Sequence, residues 1–108
     1  MITKNQIAEL LLPKDRYIYK IYTDCCWTDC DKRRYNNFDM KKRKKIDCAK
    51  RYYDMVNFIA AMAITNVIVD GENITIISTN SKVELNVSQY PPAVTDEIMK
   101  ITRNKISQ

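Results

Sequence analysis

The chain has 108 residues, of which 45% are hydrophobic and 29% charged, and its formal net charge at pH 7 is +5. This length is typical of one ordinary domain, so we expect a single domain over residues 1–108 built around one core. No apolar segment approaches the roughly 18 residues that span a bilayer, and the N-terminus lacks the pattern of a signal peptide. We therefore expect no membrane segment and a cytoplasmic protein in a reducing compartment.

The first third of the chain is predicted to hold two short helices and a strand. Thr3 and Gln6 match a capping box, which predicts a helix over residues 4–12 that ends before a proline. The aromatic and β-branched run at residues 17–22 predicts a first strand. Thr28 precedes two aspartates and is predicted to cap a second short helix.

A long helix is predicted over residues 39–64, because apolar residues recur there at spacings of three and four. The residues that set this period are Ile46, Ala49, Tyr53, Val56, Ala60 and Ala63. The second half of the helix is apolar on nearly every side, since Met55, Phe58, Ile59 and Met62 lie on other faces. We therefore expect that half to run through the core.

The last third is predicted to form strands and a final helix. Asp70-Gly71 between two apolar runs is a strong hairpin signal. A further strand is predicted where apolar and polar residues alternate, with its apolar positions at Val83, Leu85 and Val87. Pro91-Pro92 is predicted to open a final helix that extends to about residue 104. The predicted fold class is α+β: a three- or four-stranded antiparallel sheet, made of the hairpin and a third strand, packed on a long central helix with short N-terminal and C-terminal helices.

The predicted order from residue 40 onward, a helix, three strands and a helix, is similar to that of double-stranded-RNA-binding domains. That family carries its basic cluster at the start of its final helix, whereas the charge here precedes the hairpin. The family's loop between its first two strands contains glycine and histidine, whereas residues 70–73 read Asp-Gly-Glu-Asn. The resemblance is confined to the order of the elements, and no residue of that family is carried over.

Positive charge is concentrated in residues 32–51, which hold ten basic residues and two acidic ones, a formal charge of +8. Within the long helix, the basic residues with the fewest carboxylates at helical spacing are Lys41, Lys42, Lys44 and Lys45. Unpaired lysines are not buried, so the start of this helix is expected to overhang the core or to border a groove. Aromatic residues interleaved with the charge suit unstacked bases; these are Trp27, Tyr35, Phe38, Tyr52 and Tyr53.

This combination predicts a non-enzymatic binding module whose partner is nucleic acid or an acidic surface of a nucleic-acid-handling complex. The residues assigned to the partner are Lys32, Arg33, Arg34, Tyr35, Lys41, Lys42, Lys44 and Lys45. One alternative is a small inhibitor encoded by a virus or mobile element that blocks a host defence complex, as anti-CRISPR proteins do. Another is a toxin-like ribonuclease. The simplest alternative is that the lysines are a solvated helix face and the aromatic residues belong to the core.

The residue types give little support to catalysis or to a cofactor. The chain has no His, the commonest general base and metal ligand, and a single Gly is too few for a phosphate-binding loop. The candidate zinc ligands are Cys25, Cys26, Cys30 and Cys48, which lack the C-x-x-C spacing of zinc knuckles. We therefore expect reduced structural thiols, no cofactor and a fold that does not depend on metal.

Overall fold

The computed structural model describes residues 3–24 and 27–107. Its α-helices are α1 (Lys4–Ala8), α2 (Arg16–Asp24), α3 (Asp29–Asn36), α4 (Met40–Ala61) and α5 (Pro92–Ile106). Its strands are β1 (Ile64–Asp70), β2 (Asn73–Ser78) and β3 (Lys82–Asn86), and short 3₁₀ turns occupy Pro13–Asp15 and Val87–Gln89. The residues group into two compact units that divide within α4, between Asp54 and Met55.

The predicted α+β class is confirmed. An antiparallel sheet has the strand order β1-β2-β3, α4 is the long central helix, and shorter helices lie at both ends of the chain. From α4 onward the order is the predicted helix, three strands and helix. The assignment of residues 1–108 to one domain stays a prediction. Among the described helices, none combines the length and the apolar character needed to cross a membrane.

The predicted hairpin joins β1 to β2 in the C-terminal unit. Asp70 pairs with Asn73, so the loop has two residues, and Gly71 adopts a φ of +60°. Two-residue hairpin loops require this left-handed conformation, which Gly adopts without steric cost. The signal at Asp70-Gly71 therefore placed the hairpin to within one residue, since the loop is Gly71-Glu72 and Asp70 ends β1.

The buried residues of the C-terminal unit come from the second half of α4, from all three strands and from α5. They are Val56, Ile59, Met62, Ile64, Ile74, Ile76, Leu85, Val94, Ile98 and Thr102. The register pairs Ile74 with Leu85, which fixes the buried face of the sheet. The predicted alternation in β3 is confirmed at Leu85, whereas Val83 is half-buried and Val87 lies in the 3₁₀ turn that follows the strand.

The second half of α4 departs from the prediction in two ways. The helix ends at Ala61, and Ile64 begins β1 instead of ending α4. Phe58 is 54% exposed and Ala63 is exposed, so this half is not buried all round. Val56 and Ile59 are spaced by three and fill only one arc of the helix, which leaves the remaining apolar side chains facing outward.

Lys105 of α5 binds the carbonyl groups at the end of α4. Its ammonium donates to the carbonyl oxygen of Ala60 and, at 2.6 Å, to that of Met62. The last carbonyls of a helix have no partner within the helix, so these bonds satisfy them. We expect Lys105→Met to lower the free energy of unfolding by about 1–2 kcal/mol. Urea unfolding checks this against Lys100→Met, an exposed lysine of the same helix; equal losses in the two variants would contradict the assignment.

The N-terminal unit begins with the predicted capping box. Thr3 Oγ1 accepts from the amide of Gln6, whose side chain accepts from the Thr3 amide at 2.7 Å. However, α1 ends at Ala8 and not at residue 12. The Nε group of Arg16 donates to the carbonyl oxygen of Ala8 at 3.0 Å and to that of Leu11 at 3.2 Å. These side-chain bonds satisfy carbonyls at the end of α1 and in the turn that follows it.

The predicted strand at residues 17–22 is wrong, because these residues belong to α2. Ile18 and Tyr19 are both buried and pack in one cluster with Ile7, Leu11 and Ile46. In a strand, consecutive side chains point to opposite faces, whereas on a helix two neighbours can share one buried side. Packing against α1 and α4 therefore outweighs the β propensity of this run. Burial also raises the pKa of Tyr19.

Candidate functional site

The basic segment begins on α3, which forms where predicted. Thr28 caps the helix, and its amide donates to the Asp31 carboxylate at 3.0 Å, which holds the pKa of Asp31 below its usual value. The helix exposes three basic side chains in succession, Lys32, Arg33 and Arg34. The Arg34 guanidinium lies 5.8 Å from the centre of the Tyr17 ring, and Arg33 donates to the sulfur of Cys30 at 3.4 Å.

A second basic group lies at the start of α4. Lys41, Lys44 and Lys45 are exposed and fall within an arc of about 100° on one side of the helix. Ile46 and Ala49 are buried on a neighbouring side, in the core of the N-terminal unit. We refer to Lys41, Lys44 and Lys45 as the α4 basic face.

The two carboxylates within the basic segment are engaged by the fold. Asp39 Oδ1 accepts from the amide of Lys42 at 2.8 Å and so caps α4. Asp47 Oδ1 accepts from the hydroxyl of Tyr35 at 2.5 Å. Across the described residues, no ion pair joins either carboxylate to the α4 basic face. The charge of this face is therefore left for an external partner or for solvent.

Lys42 behaves differently from the other lysines of its group. Its ammonium lies 2.9 Å from Oδ1 of Asp15, a carboxylate whose residue is 2% exposed, and 4.0 Å from the centre of the Phe38 ring. The ion pair is not aligned as a hydrogen bond, and Asp15 Oδ1 has no hydrogen-bond partner in the described part of the chain. Lys42, grouped by the sequence with the least compensated lysines of α4, therefore neutralises a buried carboxylate that is distant in sequence.

The aromatic residues near the charge pack on one another and on the core. The Trp27 ring lies 4.8 Å from that of Tyr22 and 5.3 Å from that of Tyr35, and the Tyr35 ring lies 6.4 Å from that of Phe38. Burial, followed by the hydrogen bond to Asp47, raises the pKa of Tyr35. These rings therefore support α3 and α4, and a direct partner-binding role for Tyr35 stays a prediction.

A cleft of about 340 Å³ opens beside the start of α4 in the N-terminal unit. Its lining contains four lysines, two carboxylates and Leu12: the charged residues are Lys14, Asp15, Asp39, Lys41, Lys42 and Lys45. This confirms that the start of the helix borders a groove. Sequence reasoning missed Lys14, because it lies outside the basic segment and only the folded chain brings it beside Lys41 and Lys45.

The structure tests the candidate zinc ligands only in part. Cys25 and Cys26 lie outside the described residues. Cys30 is exposed, Cys48 is half-buried, and both are free thiols. The sulfur of Cys48 accepts from the Arg51 guanidinium at 3.2 Å. Within residues 3–24 and 27–107, no three His, Cys, Asp or Glu side chains come together as a metal site.

No protein-family model, curated protein sequence or solved structure matches the chain. The side chains themselves must therefore indicate the function. The two sets of exposed cations, on α3 and on α4, can bind anions, and Lys14 joins the second set at the cleft. The chain has no His, the commonest general base.

Proposed function

We propose that the chain is a non-enzymatic, cytoplasmic module that binds nucleic acid through the basic segment at residues 32–51. The observation that supports this proposal is the set of contacts made by Asp39 and Asp47. Both serve the fold, as a helix cap and as a hydrogen-bond acceptor for Tyr35, so they leave the α4 basic face uncompensated. Lysines are point charges that suit phosphate oxygens, and a row of them matches the repeating charge of a strand.

The proposed interface contacts the phosphates of the nucleic acid and does not recognise its base sequence. Lysine contacts to phosphates position a protein on a strand but carry no sequence information by themselves. Of the aromatic rings predicted to stack on bases, those of Trp27, Tyr35 and Phe38 pack on one another. We therefore expect affinity to depend on strand charge and ionic strength, with little preference among sequences.

The experiment is a titration of internally labelled 20-nucleotide DNA and RNA, single-stranded and duplex, followed by fluorescence anisotropy. We expect micromolar binding at 50 mM salt, with less than about threefold variation among strands of different sequence, because non-specific affinities lie in the range of about 10⁻⁴–10⁻⁶ M at physiological salt and tighten as salt falls. No binding of any strand at 50 mM salt would contradict the proposal. An acidic surface of a nucleic-acid-handling complex, as an inhibitor would use, would then be the partner class to test.

A further inference from the structure

The cleft beside α4 differs from the rest of the basic segment because it is concave. Lys14 approaches it from the 3₁₀ turn Pro13–Asp15, while Lys41 and Lys45 approach it from the first turns of α4. All three side chains are exposed, and none has a carboxylate partner in the part of the chain that the structure describes. Cations from two elements separated in sequence thus converge on one space.

The other charged residues of the cleft already make contacts within the fold. Asp15 is buried and faces the ammonium of Lys42 at 2.9 Å, so this pair adds no net charge. Asp39 is held as the cap of α4 by the amide of Lys42. With four lysines against two carboxylates, the cleft keeps a net positive charge that the fold does not neutralise. A ligand that completes it must be an anion.

The size and shape of the cleft favour a phosphate monoester over an internal phosphodiester. Its volume of about 340 Å³ is near the lower end of the range of ligand pockets, about 300–1,000 Å³. It has room for about one nucleotide unit. An internal phosphodiester continues in both directions along a surface, whereas a phosphate monoester ends the chain and can enter a concavity. The monoester also carries a charge of about −1.5 to −2 at pH 7, against −1 for the diester.

We infer that this cleft binds a phosphate monoester, held by Lys14, Lys41 and Lys45, as the end of a strand or as a free nucleotide. This site rests on the proposed function only if the monoester is the end of a strand; binding of a free nucleotide does not depend on it. Lys42 is not assigned to the ligand, because its charge is committed to Asp15. Leu12 gives the cleft one apolar wall, which suits the sugar that follows the phosphate.

The test compares three forms of one oligonucleotide, with a 5′-phosphate, a 3′-phosphate or hydroxyl groups at both ends, and adds a nucleoside 5′-monophosphate as competitor. We expect wild-type protein to bind at least one phosphorylated form about tenfold more tightly than the hydroxyl form. Lys14→Gln should remove this preference while changing affinity for the hydroxyl form less than twofold. Lys20→Gln, which removes an exposed lysine away from the cleft, should keep the preference.

The outcomes separate the two proposals. Equal affinity of wild-type protein for all three forms, or equal weakening of all three by Lys14→Gln, would overturn the monoester site and leave nucleic-acid binding standing. Binding of the free nucleotide that depends on Lys14, with no binding of any oligonucleotide, would retain the cleft site and overturn the proposed function. Loss of the preference in Lys20→Gln as well would show that overall charge, and not the cleft, is responsible.

Discussion

Replacing Lys42 with Met is expected to lower the free energy of unfolding by about 2–4 kcal/mol. The Lys42 ammonium neutralises Asp15, which is 2% exposed, and its loss leaves a buried carboxylate without a counter-charge. Removing one partner of a buried ion pair costs about 3–5 kcal/mol. We take a lower range because the Lys42 side chain is 27% exposed and water reaches it. Urea unfolding followed by circular dichroism measures the loss.

Two further variants control for this result. Lys41→Met removes an exposed lysine from the same turn of α4 and should change stability by less than about 0.5 kcal/mol. Lys42→Met combined with Asp15→Asn removes both charges and should recover much of the lost stability, since the penalty belongs to the unpaired carboxylate. If Lys42→Met were as stable as Lys41→Met, the ion pair would not support the fold.

Replacing Lys41, Lys44 and Lys45 together with Gln is expected to weaken nucleic-acid binding at least tenfold at about 0.15 M salt. The α4 basic face makes the phosphate contacts in the proposed function, and each contact releases counterions that favour binding. Lys42 is kept in this variant because it serves the fold. Stability should change by less than about 1 kcal/mol, because exposed charges contribute little to folding. Anisotropy and thermal unfolding measure the two effects.

The matched control removes the same amount of charge elsewhere. Lys20, Lys82 and Lys100 are exposed and lie outside the basic segment, and replacing all three with Gln lowers the net charge equally. We expect this variant to keep affinity within about threefold of wild type. Equal weakening in both triple variants would show that net charge alone attracts the strand, and the α4 basic face would then not be a site.

Local signals in the sequence were sufficient to predict the elements that begin or end at a capping residue or a turn glycine. Thr3 forms the predicted capping box and Thr28 caps α3 as predicted, and Gly71 forms the hairpin turn that its conformational freedom permits. Each of these interactions joins residues only a few positions apart. Short-range chemistry is therefore sufficient to decide them.

The errors arose where distant residues decide the outcome. The run at residues 17–22 has strand-forming side chains, but Ile18 and Tyr19 are buried together against residues of α1 and α4. Phe58 fits an apolar helix in the sequence, yet the core needs only the arc that holds Val56 and Ile59. Propensity and periodicity describe one element at a time, so they did not reveal which of its faces a neighbour would cover.

The same distinction applies to the site. The excess of basic residues and the groove at the start of α4 could be predicted, because charge and helical spacing are properties of one segment. The role of Lys42 could not, since Asp15 is distant in sequence and lies in a 3₁₀ turn. Lys14 enters the cleft for the same reason, as the residue next to Asp15.

The salt dependence of affinity for a single-stranded oligonucleotide measures how many phosphates the basic segment contacts. A plot of the logarithm of the association constant against the logarithm of salt concentration has a slope of about −0.7 for each phosphate contact on a single strand. Three contacts from the α4 basic face and one from α3 predict a wild-type slope of about −3, falling to about −1 in the Lys41, Lys44 and Lys45 variant. A wild-type slope near zero, or the same slope in that variant, would contradict binding of phosphates by the basic segment.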